Sequence, residues 1–384
     1  LSAVAASAVD LPVDQIVAKH VAAKGGIEAI HGITAVRVTG DYTAFGDSAP
    51  FTLVRTRPQL YRFDFKALGG DLTYAWDGEK AWWINVSMGY PWAVAPPLPE
   101  RRFIHSEALF DNPLIDATAR GIELRAGGAG DLDGAPTVVV VAVLPDGSEE
   151  RWHLDPGTWL EVKRESRGAD FGREVPCITY FSDFRSVAGV MFPFRVEQEY
   201  SIRWRTFEIA DIEVNPVVDP AVFRLPIEPA LDRLAGLAGR WQVKYSSIPY
   251  PGAPAVETEA KSTIVERFDG RVFEETVEVV TATSAGVELR TWSWDRFRER
   301  YTAVMHDDTS AHAAIAWGTA AEDGAIVVDT LGSETAVVLG EQTLHSRYTL
   351  RRSGADAFEL VAEVSNDGGT TWNPAYTAKY QRAQ

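Results

Sequence analysis

The chain has 384 residues, 46% hydrophobic and 24% charged, which sets an expectation of two globular domains, each large enough to bury a core. A net charge of -17 and a pI near 4.9 exclude nucleic acid as an electrostatic partner, because phosphate binding needs a basic surface, and argue against an anionic membrane in the same way. A single cysteine, Cys177, excludes an intrachain disulfide and argues against a thiolate metal cluster.

The opening LSAVAASAVD resembles the tail of an apolar segment followed by small residues, with Ala6-Ser7-Ala8 fitting an A-x-A cleavage site. Residues 1–11 therefore read as the leader remnant of an exported protein or as a disordered tail. No run of about 18 apolar residues follows, so no membrane span is expected. A helix is predicted from Pro12 onward. Val13, Ile16, Val17, His20 and Val21 share one face, and Gly25-Gly26 stops it. A short helical turn is expected at 27–30.

After Gly32 the period changes to two. Strands are predicted at 36–40, 51–55, 60–65, 72–76, 81–86, 122–126, 137–144, 149–154, 159–166, 177–185, 194–202 and 204–214. Turn signals at Asp77-Gly78, Asp133-Gly134, Asp146-Gly147 and Asp155-Pro156-Gly157 make them an antiparallel meander. Residues 90–99 read as a proline-rich loop and 105–119 as a helix. Four prolines in NPVVDPAVFRLPIEP mark a domain boundary, with 227–230 as the linker.

Beyond it, Leu231, Leu234 and Leu237 give a helical turn. Strands follow at 241–246, 260–268, 271–281, 287–294, 300–305, 311–317, 326–330, 343–350, 357–365 and 375–381, a spacing that suits a barrel.

No dinucleotide fingerprint, Walker loop, G-x-S-x-G elbow or H-E-x-x-H is present, so no cofactor and no metal are expected. The His306 and His312 pair in MHDDTSAH, with Asp307 and Asp308, matches no standard metal spacing and reads as a solvated turn. The positive signal is aromatic: twelve tryptophans. In YAWDGEKAWW, Trp76 and Trp82 flank an Asp-Gly turn, and the neighbours Trp82 and Trp83 face opposite ways on a strand. Trp292 and Trp294 share one face of another strand.

Two resemblances follow from these motifs. AKGGIEAI, YAWDGEKAWW, DLDGAPTVVVVAVLPDGSEERWHLDPGTWLEVK, YFSDFRSVAGVMFPFRVE and VNPVVDPAVFRLP, in that order, make residues 12–226 resemble the outer-membrane lipoprotein-sorting (LolA-like) periplasmic carriers. LAGLAGRW, FDGRVFEE, WSWDRFRERYTAVMHDD and SNDGGTTWNPAYTAKYQRA make residues 231–384 resemble an uncharacterised bacterial family of calycin-like barrels.

The resemblances imply a mainly β chain of two antiparallel β domains: an incomplete barrel wrapped over helices, then a closed calycin-like barrel. They imply that Arg382 or Arg347 packs over Trp241 at the end of the second barrel. They further imply a periplasmic or secreted carrier, not an enzyme, for a hydrophobic small molecule or lipid, with an envelope lipoprotein or the outer membrane as a further partner. Trp76, Trp82, Trp83, Trp92, Phe103, Leu109, Phe110, Trp292 and Trp294 are the candidate ligand-binding residues, with Trp83, Trp92, Phe103, Leu109 and Phe110 on the lid side. The alternative is an enzyme of hydratase or non-covalent cyclase type acting on a lipophilic substrate between the two β domains, with Asp295, His306, Asp307 and His312 as candidate catalytic residues.

Overall fold

The computed structural model describes residues 11–67, 69–200, 203–226, 228–249, 252–280, 285–308 and 312–383. Residues 1–10 of the leader expected at 1–11, the expected strand positions Ser201, Ile202, Thr281 and Ala311, and the linker position Ile227 lie outside the described residues. The chain divides into two compact units, Leu1–Pro226 and Ile227–Gln384.

The first unit holds helices α1 (Val13–Ala23), α2 (Ile27–Gly32) and α3 (Leu98–Ala108). Its strands are β1 (Ala35–Ala44), β2 (Asp47–Thr56), β3 (Leu60–Ala67), β4 (Gly70–Trp76), β5 (Ala81–Asn85), β6 (Tyr90–Val94), β7 (Glu123–Leu132), β8 (Ala135–Val143), β9 (Glu149–Leu154), β10 (Glu161–Asp170), β11 (Arg173–Val187), β12 (Val190–Tyr200) and β13 (Arg203–Val214). They form one open, wrapped antiparallel sheet of thirteen strands, ordered β6-β5-β4-β3-β2-β1-β13-β12-β11-β10-β9-β8-β7. The pairing of β1 with β13 joins two meanders, and α3 lies in the connection between the two edge strands. Ile30, Ile104 and Ala108 from the helices, with Ile33 just after α2, pack on Val36, Phe51, Tyr61, Phe63 and Phe65 of the sheet.

Two sequence expectations shift here. The helix expected at 105–119 runs instead from Leu98 to Ala108. Pro97 and Pro99 have the φ that a first turn needs, and Pro113 forbids continuation. Tyr90–Val94 is strand rather than loop, because Pro91 is tolerated on an edge strand that needs no ladder donor there.

Two of the sheet's four register shifts among the described residues shape its concave face. Between Thr39↔Asp211 and Gly40↔Ile209, Ala210 is left over, so Phe207, Ile209 and Ile212 all turn to the concave face. The backbones meet so closely that a Cβ on Gly40 would stand 2.0 Å from the Glu208 carbonyl oxygen. On β10, Val162 is left over in the same way. Glu161 and Arg164, three residues apart, then share the concave face.

The second unit is an antiparallel barrel: β14 (Gly239–Ser247), β15 (Val256–Arg267), β16 (Val272–Val280), β17 (Ala285–Asp295), β18 (Arg300–Asp307), β19 (Ala313–Ala320), β20 (Ile326–Asp329), β21 (Val337–Leu339), β22 (Gln342–Arg352), β23 (Ala357–Ser365) and β24 (Asn373–Arg382). Pairing of β20 with β22 closes ten of them into a ring, with β21 an outlying hairpin partner of β22. Its interior is filled. Trp241, Phe273, Trp292, Phe358 and Tyr380 are buried, and the guanidinium of Arg290 donates to the phenolic oxygens of Tyr245 and Tyr380, at 2.7 Å each, and pairs with Glu275 and Glu288.

Arg382 stands over the Trp241 ring at 4.3 Å, while Arg347 instead covers Trp372. Arg382 also donates to the carbonyls of Ala238 and Gly236, and to Asp356. It thus ties the last strand to the turn that leads into the first. Arg382→Ala is expected to destabilise this barrel by about 1–3 kcal/mol, or about 2–4 °C of Tm per kcal/mol. An unchanged melting curve would show that the latch is not stabilising.

Candidate functional site

The concave face of the first unit is broader than its helices cover, and a cavity of about 300 Å³ remains. Ile33, Val36, Val38, Phe51, Leu53, Phe63, Val196, Phe207, Ile209 and Ile212 make its apolar wall. The aromatic part continues along β1 to β5: Phe63 and Phe65 stack at 4.4 Å, and Tyr42, Phe51 and Phe207 meet them mostly edge to face. From α3 and the segment after it come Glu107, Leu109, Phe110 and Asp111.

The charged groups of the wall form three clusters, the third of them Asp111, which accepts from Arg57 Nη2 at 2.8 Å. In the first, Glu107 stands between two arginines, 3.0 Å from Arg164 Nη2 and 3.6 Å from Arg55 Nη2. Arg164 also donates to Thr179 Oγ1 at 3.3 Å, and Glu150 accepts from Trp152 Nε1 at 2.9 Å. Burial alone would raise the Glu107 pKa, but Arg164 and Arg55 outweigh it and hold the carboxyl below its usual range. Burial likewise works against charged Arg164, yet Glu107 and Glu150 raise its pKa.

In the second cluster Lys24 Nζ donates to Glu161 Oε1 at 2.7 Å, next to buried His20. His20 Nδ1 donates to the Trp159 carbonyl at 2.9 Å, and Nε2 accepts from Asn112 Nδ2 at 3.2 Å. Those partners fit the neutral ring. Burial lowers the His20 pKa, against the opposing pull of Glu161 3.9 Å away.

Of the expected site residues, Leu109 and Phe110 line the cavity. Trp83 and Phe103 instead line a second, smaller hollow of about 50 Å³. Trp83 is inward and Trp82 outward: Trp83 pairs with Tyr74 and packs on its ring, whereas Trp82 donates to the Phe223 carbonyl at 2.7 Å under the segment that ends the unit. Both are buried. Trp76 packs on His105, and Trp92 lies half-buried on edge strand β6. Trp292 is filled core, and Trp294 packs on Tyr301 in the second unit. The structure therefore does not gather the tryptophans round one cavity; cross-strand period two distributes them over both faces of two units.

Asp295 accepts backbone bonds from Phe297 and Arg298 in its own turn, His312 bonds to the Thr335 carbonyl, and His306 and Asp307 are exposed at the end of β18. Among the described residues, no three His, Cys, Asp or Glu side chains are grouped to hold a metal, and no helix is long and apolar enough to cross a membrane. Sequence reading missed Arg55, Glu107, Glu161 and Arg164. The only hint of them was charge inside otherwise strand-like runs.

Residues 229–382 match the model of a family described as "Protein of unknown function (DUF1579)", in keeping with the resemblance read from the C-terminal motifs. No curated protein matches the sequence. Among solved structures, a LolA superfamily protein from Nitrosomonas europaea is similar at 13% identity over 56% of this chain and 98% of its own, with a TM-score of 0.37. A DUF1329 family protein from Desulfovibrio piger is similar at 11% identity over 56% of this chain and 97% of its own, also at 0.37. An S-type phycobiliprotein lyase from Guillardia theta is similar at 15% identity over 44% of this chain and 99% of its own, at 0.28.

Because the folded His20 pKa is depressed, its contribution to stability is complete above the unfolded value near 6.5 and is lost as pH falls through the lower folded value. The Tm advantage of the wild type over His20→Gln is expected to be larger at pH 7.5 than at pH 5. An advantage that is the same at both pH values would show that the neutral ring is not what the fold selects.

Proposed function

We propose that the chain is a binding or carrier protein for an apolar or amphipathic, lipid-like ligand held in the cavity of its first unit. The observation that carries this reading is the cavity itself: about 300 Å³, walled by branched aliphatic and aromatic side chains of the concave sheet, with its charges gathered in three clusters. A core with no ligand to hold closes such space, since interiors are packed to crystal-like density. Apolar burial would drive binding, at roughly 0.8 kcal/mol per methylene.

The order of motifs shared with periplasmic lipoprotein carriers supports a place in the bacterial periplasm or outside the cell, and an envelope lipoprotein or the outer membrane as donor or acceptor of the ligand. The filled interior of the second unit supports a structural or docking role for it rather than a second binding site.

Leu53 lines the cavity on β2, and a larger side chain there occupies its volume. The full chain is expected to bind the neutral fluorophore N-phenyl-1-naphthylamine saturably, at one site. Leu53→Trp is expected to weaken that binding at least about tenfold while keeping a cooperative melt. Absence of saturable binding, or equal binding by the variant, would count against the cavity as the site.

A further inference from the structure

This inference rests on the carrier reading and narrows its ligand. Arg55 Nε and Arg164 Nε are buried at the cavity wall and have no hydrogen-bond acceptor among the described residues. A guanidinium carries five N–H donors, and here Glu107 and Thr179 take up only part of that capacity. Each buried donor left without an acceptor costs free energy, and an anionic oxygen repays it best, because charge-assisted bonds to arginine are roughly twice as strong as neutral ones. A cationic head would meet two guanidinium groups instead. Elsewhere on the wall, Lys24 bonds Glu161 Oε1 at 2.7 Å and leaves Glu161 Oε2 buried without a hydrogen-bond partner among the described residues, an acceptor apart from the two arginines, while Asp111 is held by Arg57.

Size adds a second constraint. The cavity, at about 300 Å³, lies at the small end of the roughly 300–1,000 Å³ range of ligand pockets, which favours one chain over the two or three of a membrane lipid.

We infer that the cavity takes a single-chain amphiphile with an anionic head, a carboxylate of the fatty-acid type, whose head lies between Arg55 and Arg164 where Glu107 now stands and whose chain runs along Leu53, Val196 and Ile209. Glu107 is the internal competitor for the two arginines. Thr179 adds a hydroxyl beside Arg164.

Calorimetric titration of the full chain with dodecanoate, dodecanol and dodecyltrimethylammonium, each below its micellar concentration, tests this. Dodecanoate is expected to bind one to one and at least about tenfold tighter than the other two. Arg164→Gln and Arg55→Gln are each expected to reduce the ratio of dodecanoate to dodecanol affinity to below about threefold. Because Arg164→Gln strands a buried carboxylate, the double variant Arg164→Gln with Glu107→Gln is measured beside it. Glu107→Gln alone is expected to tighten dodecanoate binding at least about threefold, since it removes the competitor. Equal affinity for dodecanoate and dodecanol, or a preference that survives loss of either arginine, overturns the anionic head while leaving the carrier reading intact. Binding of a two-chain phosphatidylglycerol as tight as that of dodecanoate overturns the single chain. Failure of all three dodecyl compounds to bind overturns the carrier reading itself.

Discussion

A sheet that curls without closing must bury its concave face against something other than itself. Thirteen strands bring Val36, Phe51, Phe63, Phe207 and Ile209 to that face, and the three helices among the described residues are too few to cover it. The remaining space is the cavity. The second unit meets the same requirement differently: its ring closes through β20 and β22, and Trp241, Trp292, Phe358 and Tyr380 fill it. One chain thus holds two solutions to the burial of a β-sheet, and the open one leaves room for a ligand.

The chemistry of that room depends on where the pleat is interrupted. Without the left-over Val162, Glu161 and Arg164 would point to opposite faces of β10, and the wall would lose one of its charged groups. The bulge beside Gly40 does the same for the apolar wall, by turning Ile209 and Ile212 to the same side. The charges are tolerated there because each has a partner: Arg164 and Arg55 hold Glu107, and Lys24 holds Glu161. His20, held neutral by the Trp159 carbonyl and Asn112, adds no further charge to that interior.

Much of the architecture was legible in the sequence. Period two with Asp-Gly turns gave the meanders, the change of period at Gly32 separated helices from strands, and LAGLAGRW placed Trp241 at a barrel end that Arg382 does cover. The site was less legible. Period two says that Trp82 and Trp83 diverge but not which is inward; that depends on the segment at Phe223, 141 residues away, which covers Trp82. Glu107 and Arg164 are 57 residues apart and meet only because α3 bridges the two sheet edges. A bulge has no dependable sequence mark, so the faces of Arg164 and Ile209 could not be read from alternation. The α3 helix itself was displaced, because its prolines read as loop signals when they are first-turn residues.

The central claim is that the first unit holds one ligand molecule in its cavity. Native mass spectrometry of the full chain, after incubation with a bacterial lipid extract and removal of excess lipid, addresses it directly. The account predicts one non-covalent adduct per chain, released by organic solvent and absent when the cavity is filled by Leu53→Trp. A spectrum showing only the unliganded chain, or several adducts that the substitution does not affect, would contradict it.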